Sequence, residues 1–210
     1  MDVKKYWRDV EADATHGFNT YAATGDDKIA ELFDGFMRVC PPDSHILEIG
    51  CNTGSNLDYL RRQGFQRFTG LDINAGAIEN FGAIYPETFA ATRTLVGDAL
   101  PIMRALETAS FDAVFSRGCL INIPYEDEAI FGEIARVTRN IVIIMEADSV
   151  QPGSILFPRD YENIFAGLGF QLILKKLLIA GEWGNVDPNR VRNPWLRLFV
   201  RNSVTPTRLT

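Results

Sequence analysis

The sequence predicts an α/β protein with a mostly parallel sheet covered by helices on both faces, and three observations predict it. The first is His45-Ile46-Leu47-Glu48-Ile49-Gly50-Cys51-Asn52-Thr53-Gly54-Ser55-Asn56-Leu57, an apolar run that breaks into a glycine turn and then starts a helix. Ile46, Leu47 and Ile49 read as a strand buried on both faces and interrupted only by Glu48. The second comes about twenty residues on, where Phe68-Thr69-Gly70-Leu71-Asp72-Ile73-Asn74 is a short apolar strand ending in an acid, the position where a ribose diol finds its acceptor. Third, strands alternate with helices through the rest of the chain, the pattern of a parallel sheet with both faces covered.

The individual elements follow from local chemistry. Gly50 and Gly54 lack a Cβ, so both are able to take a positive φ and let a ligand lie against the main chain. The helix from Ser55 is capped by Thr53 or Ser55, carries Leu57 and Leu60 on one side and ends at Gly64. Upstream, Tyr6, Trp7, His16, Phe18, Tyr21 and Asp26-Asp27 precede an amphipathic helix with Ile29, Leu32, Phe33 and Phe36 on one face, which Pro41-Pro42 stops. Downstream, the pattern gives a helix over 75–83 and a strand over 93–96 followed by Gly97-Asp98-Ala99-Leu100. A fourth strand spans 111–116 and runs into the loop Arg117-Gly118-Cys119-Leu120-Ile121-Asn122-Ile123-Pro124. The helix expected over 125–139 begins with Glu126, Asp127 and Glu128 and finishes with Arg136 and Arg139, the charge order its dipole favours. Asn140-Ile141-Val142-Ile143-Ile144-Met145-Glu146 is a fifth strand, again ending in an acid. Pro158 marks the start of a helix bearing Tyr161, Ile164, Phe165 and Leu168 and closed by Gly167 and Gly169. Two further strands are expected over 170–179 and 195–200, joined by a polar loop.

Composition narrows the function. With 210 residues, 46% hydrophobic and 23% charged, the chain has the make-up of a soluble globular protein. A balance of 21 basic against 27 acidic residues, net −6, argues against a nucleic-acid backbone as the main partner, which needs a basic footprint. Cys40, Cys51 and Cys119 form no CxxC and have no histidine at ligand spacing, so neither a disulfide framework nor a metal site is expected, and a reducing cytoplasm is the default. No apolar run approaches the roughly 18 residues of a membrane span, and the N-terminus lacks the apolar stretch of a signal peptide.

The glycine loop selects the nucleotide. A dinucleotide fingerprint, G-x-G-x-x-G, needs its second glycine for the pyrophosphate and its third for tight helix packing; here Asn52 and Ser55 hold those positions. The loop instead resembles motif I of the class I S-adenosylmethionine-dependent methyltransferases, an acid followed by G-x-G-x-G, standing as Glu48-Ile49-Gly50-Cys51-Asn52-Thr53-Gly54. The central glycine is Asn52, a residue that tolerates left-handed conformations better than most. Gly97-Asp98 after the third strand and FDAVFS in the fourth resemble two further motifs of that family. The resemblance covers residues 45–200 and implies a Rossmann-like, seven-stranded sheet in the order 3-2-1-4-5-7-6 with the last strand antiparallel. Segment 1–44 would then be a lid, 45–203 the methyltransferase domain and 204–210 a tail. Within the family, LEIGCNTGSNL and FSRGCLINIP resemble the methylases associated with pseudaminic acid biosynthesis, which carry G-C-N-x-G-x-N-L and K/R-G-x-L-I-H-I; the histidine of that loop is Asn122 here.

The resemblance assigns S-adenosylmethionine as cofactor and S-adenosylhomocysteine as product. Glu48, Gly50, Cys51, Asn52, Gly54 and Asn56 would form the motif I wall against the methionine portion and ribose, Asp72 would hold the ribose hydroxyls and Ile73 would flank the adenine. Asp98 and the Ala99 amide would read the adenine edge, and Arg117 would line the site beyond the fourth strand. For the acceptor, His16 and Glu146 are candidate bases, and Tyr21, Asn122, Tyr125 and Asp148 are candidate pocket residues. His45 heads its strand at the opposite edge and is structural. A small polar metabolite, sugar-like and methylated on oxygen, fits the subgroup resemblance, with the protein a monomer or homodimer. Two other classes stay open: a cofactor-binding, inactive subunit that supports a partner, and an NAD-dependent oxidoreductase on a similar fold, which the glycine pattern disfavours.

Overall fold

A computed structural model describes residues 2–11, 26–150, 156–178 and 191–202. In chain order the elements are α1 Val3–Asp9, α2 Asp26–Val39, β1 His45–Ile49, α3 Ser55–Arg62, β2 Arg67–Asp72, α4 Ala75–Ile84, α5 Pro86–Ala90, β3 Thr92–Val96, α6 Ala99–Ala105 and β4 Phe111–Arg117. Two 3-10 turns follow, Leu120–Asn122 and Tyr125–Asp127, then α7 Ile130–Val137, β5 Thr138–Val150, α8 Tyr161–Gly167, β6 Phe170–Leu177 and β7 Val191–Arg201. The seven strands form one sheet in the order β3-β2-β1-β4-β5-β7-β6, with β7 antiparallel to both β5 and β6. This is the expected topology.

Strand alternation divides the core between the two faces of the sheet. One face packs Ile46, Phe68, Phe115, Ile143 and Leu198 against Phe33 and Phe36 of α2, Leu57 and Leu60 of α3 and Phe81 of α4. The other packs Leu47, Val114, Val142, Ile144 and Phe199 against Met103 of α6, Phe131 and Ile134 of α7, and Tyr161 and Phe165 of α8. Phe115 receives the rings of Phe33 and Phe36 edge-on at 5.4 and 5.7 Å, so α2 is part of the core rather than an appendage to it. Truncating either fully buried phenylalanine to alanine should cost about 3–5 kcal/mol. Among the described residues no helix is long and apolar enough to cross a membrane.

Several boundaries differ from the sequence reading. The helix expected over 125–139 is a 3-10 turn followed by α7, which ends at Val137 because the Thr138 hydroxyl donates back to the Ile134 carbonyl at 2.6 Å and the chain enters β5. Pro158 does not begin α8; Asp160 does, its carboxylate accepting from the Asn163 amide at 3.1 Å. Neither Thr53 nor Ser55 caps α3. Gly54 occupies the cap in the left-handed region, φ 75°, with no side-chain cap. Helices α1, α5 and α6 are additions, α5 having Pro86 in its first turn, where a missing N–H costs nothing.

Candidate functional site

The carboxyl ends of β1 to β4 deliver Gly50, Asp72, Gly97 and Gly118 to one edge of the sheet, where open α/β folds place their ligands. Glu146 does not end β5 as expected but stands within it, one residue past its parallel pairing with β4, because β5 runs on to Val150 against β7. His45 stands at the other edge, its Nε2 3.1 Å from the Thr69 hydroxyl and its ring against Phe111. The glycine loop after β1 is stapled to β2: the Gly50 and Cys51 amides both donate to the Leu71 carbonyl at 2.7 and 3.0 Å, and Gly54 donates to the Cys51 carbonyl at 2.8 Å. Asn52 sits at φ 49°, the left-handed conformation that asparagine tolerates.

Gly50 and Gly54 take the positive φ expected of them, and the missing Cβ also serves packing within the chain. A Cβ on Gly50, φ 78°, would lie 2.4 Å from Cys119 Cβ, and one on Gly54 would lie 2.2 Å from the Phe81 ring. The chain's own side chains occupy that space: Gly50 lets the loop after β4 close on the loop after β1, and Gly54 lets α4 close on the start of α3.

Asp72 takes one amide on each carboxylate oxygen, Asn52 N–H on Oδ2 and Asn74 N–H on Oδ1, both at 2.9 Å. Enclosure raises its pKa against the pull of these amides and that of Ile73. Each oxygen keeps a free lone pair for a hydroxyl. Glu48 is fully buried behind the loop. Asn56 Nδ2 donates to its Oε1 at 2.5 Å, Arg117 Nη1 donates to Asn56 Oδ1 at 3.3 Å, and burial raises the Glu48 pKa well above the usual range while Asn56 and Arg117 pull it down. Among the described residues Glu48 Oε2 and Asn52 Oδ1 are buried with no hydrogen-bond partner. Cys51 is buried, its thiol pushed well up by enclosure.

Asp98 sits at the N-cap of α6 and Ala99 is its first residue, so both lie at the tip of β3 as expected. Acceptors thus gather here: Asp72 and Asp98 at the strand tips, and Glu48 Oε2 and Asn52 Oδ1 buried without partners behind the loop. The amides of Gly50, Cys51, Asn52 and Gly54 are all spent inside the chain. A pyrophosphate needs N–H donors and is repelled by carboxylates. A ligand offering an ammonium, a diol and an aromatic amine supplies donors to these acceptors. The residues therefore fit S-adenosylmethionine.

The acceptor side is held by two buried charges. Glu146, fully buried, accepts on Oε1 from the Leu120 amide at 2.8 Å, the Cys119 amide at 3.0 Å and the Ser116 hydroxyl at 3.3 Å, and on Oε2 from the Ile121 amide at 3.4 Å. Burial pushes its carboxyl up to about 7, against the pull of those amides. The expectation of a proton acceptor facing substrate is corrected on this point: Glu146 has no exposed surface, and its oxygens are taken by the loop after β4. Arg159, missed in the sequence, grips the same loop by its carbonyls, donating to Ile123 and Pro124 at 2.8 and 3.1 Å, to Leu120 at 3.3 Å and to Phe157 at 2.9 Å. Asn122 Nδ2 donates to the Gly118 carbonyl at 2.8 Å, and Tyr125, half exposed, donates to the Pro158 carbonyl at 3.1 Å. Asp148 pairs with Arg197, which is 1% exposed in its side chain and also reaches Glu162 Oε1 at 3.3 Å. His16 and Tyr21 lie outside the described residues.

Comparison with known proteins agrees with this geometry. Residues 47–144 match a family described as Methyltransferase domain. No curated protein sequence matches the chain significantly. Among solved structures, a magnesium protoporphyrin IX methyltransferase from Synechocystis with bound SAM is similar at TM-score 0.68 and 19% identity, over 96% of this chain and 98% of that one. A TehB-like SAM-dependent methyltransferase from Corynebacterium glutamicum is similar at TM-score 0.60 and 23% identity, over 87% of this chain and 92% of that one. A putative sarcosine dimethylglycine methyltransferase from Galdieria sulphuraria aligns at TM-score 0.66 and 14% identity, over 83% of this chain and 84% of that one. Residues 47–144 thus match a methyltransferase domain, and the chain has the fold of the class I S-adenosylmethionine-dependent methyltransferases.

Proposed function

We propose that the protein transfers a methyl group from S-adenosylmethionine to an oxygen of a small polar acceptor, sugar-like in the reading that the LEIGCNTGSNL and FSRGCLINIP stretches favour. The observation that carries the cofactor half is the set of acceptors Asp72 and Asp98, backed by the buried, unpartnered Glu48 Oε2 and Asn52 Oδ1, beside a glycine loop whose amides are already used. When bound, the cofactor supplies an activated sulfonium methyl. What remains for the chain is alignment, exclusion of water and, for a hydroxyl acceptor, a place for the proton.

In this reading Asp72 holds the ribose hydroxyls, Ile73 flanks the adenine, and Asp98 with the Ala99 amide reads its edge. Glu48, Asn52 and Asn56 receive the amino-acid end, and Arg117 closes the wall beside them. Asn122, Tyr125 and Asp148 belong to the acceptor side with Tyr21, and His16 is the proton acceptor. Glu146 and Arg159 fix the loop against which the acceptor lies.

Isothermal titration tests the cofactor half. S-adenosylhomocysteine should bind in the micromolar range and NAD should not bind. Asp72→Ala should weaken S-adenosylhomocysteine binding by about 10- to 100-fold, the loss of a charge-assisted hydrogen bond worth roughly 1.5–3 kcal/mol. An effect within about twofold would refute the ribose assignment. For His16, the outcome required of His16→Ala is a fall in turnover of at least about tenfold with cofactor affinity intact.

A further inference from the structure

Lys4 is the side chain whose place the chemistry above does not use. It lies in α1, at the far end of the sequence from the loops that it touches. Its ammonium is 2.6 Å from Asp98 Oδ2 at the tip of β3 and also pairs with Asp127 in the second 3-10 turn after β4. All three side chains are partly buried, at 31% exposure for Lys4, 28% for Asp98 and 15% for Asp127. Burial works against the Lys4 charge, but the two carboxylates prevail and its pKa is raised.

The other end of α1 is tied down by a different loop. Asn74, just past β2, donates from Nδ2 to the Val10 carbonyl at 3.0 Å and to the Trp7 carbonyl at 3.3 Å, while its Oδ1 caps α4 by accepting from the Ala77 amide at 3.1 Å. Helix α1 is therefore moored to the loops after β2, β3 and β4, the three that frame Asp72, Ile73, Asp98 and Ala99. Val3, on the same helix, is also buried.

We infer that Lys4 is a positioning residue for the cofactor: by joining Asp98 to Asp127 it aims the Asp98 carboxylate at the adenine and latches α1 across the nucleoside end of the site. Cofactor exchange then requires the Lys4 ion triad to open. The inference rests on the cofactor reading above. Asp98 has two oxygens, and Lys4 takes Oδ2, which leaves Oδ1 for an exocyclic amine. A single cation shared by two carboxylates that arrive from separate crossovers also fixes the distance between those crossovers, which a neutral side chain cannot do.

The test is the dissociation rate of S-adenosylhomocysteine from the full-length protein, followed by stopped-flow chase with tryptophan fluorescence, Trp7 lying on the moving helix. Lys4→Met, which keeps the apolar stem and removes the charge, should speed dissociation by at least roughly tenfold, and Lys4→Arg should restore it to within about threefold of the parent. Asp127→Asn, which breaks the latch without touching the adenine-side carboxylate, should give the same acceleration. Raising NaCl from about 50 to about 500 mM should speed dissociation from the parent and leave Lys4→Met unmoved, because screening acts only where the ion triad exists. Dissociation from Lys4→Met within about twofold of the parent, or an equal salt response in both, would overturn the latch while leaving the cofactor reading intact. Absence of any S-adenosylhomocysteine binding by the parent would overturn both.

Discussion

Replacing Glu146 by glutamine should change the pH dependence of stability more than stability itself, and the structure gives the sign. The carboxyl is fully buried, and that burial raises its pKa from the ordinary 4.5 to about 7 in the folded protein. Below about pH 4.5 the folded and unfolded chains both hold the proton, and the stabilisation from this group is complete. As pH rises the unfolded chain releases its proton first, so stability is lost progressively and the loss is finished above about pH 7. The shift corresponds to roughly 3 kcal/mol. Glutamine has no proton to lose. With its oxygen placed where Oε1 lies, it keeps Leu120, Cys119 and Ser116 and gives up the longest contact, Ile121 at 3.4 Å. The parent should therefore be the more stable protein near pH 5, and its advantage over Glu146→Gln should shrink by about 2–3 kcal/mol, or reverse, near pH 8. Urea unfolding of both proteins across that range measures the gap. A gap independent of pH, or one that widens in the parent's favour as pH rises, would show that the amide donors outweigh desolvation and would refute the reasoning.

Gly50→Ala should lower stability by about 2–4 kcal/mol in urea unfolding, combining a left-handed backbone penalty with overpacking against Cys119 Cβ at 2.4 Å. Adding Cys119→Gly should recover the packing share and leave the backbone share, a coupling that a double-mutant cycle reads directly. Arg197→Met should cost about 2–4 kcal/mol in the same assay, since it strands Asp148 and takes a donor from the Glu146 carbonyl at 3.5 Å. Restoring the charge by removing its partner instead, in Asp148→Asn, should cost less, because Arg197 keeps Glu162 at 3.3 Å.

What could be read in the sequence was what is local in the chain. The β1 strand, its glycine loop and the acid closing β2 are each a run of a few residues whose pattern has one good structural solution, and all three stand where expected. The position of Asn52 at φ 49° follows from the same kind of reasoning. The β7–β6 exchange in strand order came from the family resemblance, because alternation along a strand carries no information about which strand lies beside it. The charge contacts that hold the site were not legible. Lys4 and Asp98 are 94 residues apart, Arg159 and Leu120 are 39 apart, and Arg197 and Asp148 are 49 apart. Of these, only Arg197 left a trace: a cation inside Trp195-Leu196-Arg197-Leu198-Phe199-Val200, a strand apolar on both sides, requires acceptors within reach of its guanidinium. The glycines were legible in their positive φ but not in what fills the space beside them. A missing Cβ reports that something comes close, and Cys119 and Phe81 satisfy that requirement as well as a ligand does.

Asp72 and Glu146 show how one sequence signal divides into two roles. Each is an acid that follows an apolar run in a core strand, each gathers main-chain amides from neighbouring loops, and nothing in the local sequence separates them, although Asp72 ends β2 and Glu146 lies inside the longer β5. The difference lies in what surrounds each carboxylate. Asp72 ends β2 and is partly exposed, with the Asn52 and Asn74 amides on separate oxygens at 2.9 Å and the Ile73 amide pulling beside them, so a ligand hydroxyl meets an acceptor that still has room. Glu146 is sealed under the loop after β4, with three donors on Oε1 and a fourth on Oε2, and any further partner would have to displace the backbone. A carboxylate sealed from solvent with its lone pairs nearly all committed holds a wall in place, whereas one with lone pairs to spare at a partly exposed strand end binds what the wall encloses. The number of donors already satisfied, together with burial, therefore separates the anchoring acid from the binding acid here, and the Asp72→Ala and Glu146→Gln substitutions should part accordingly: the first in ligand affinity, the second in the pH dependence of unfolding.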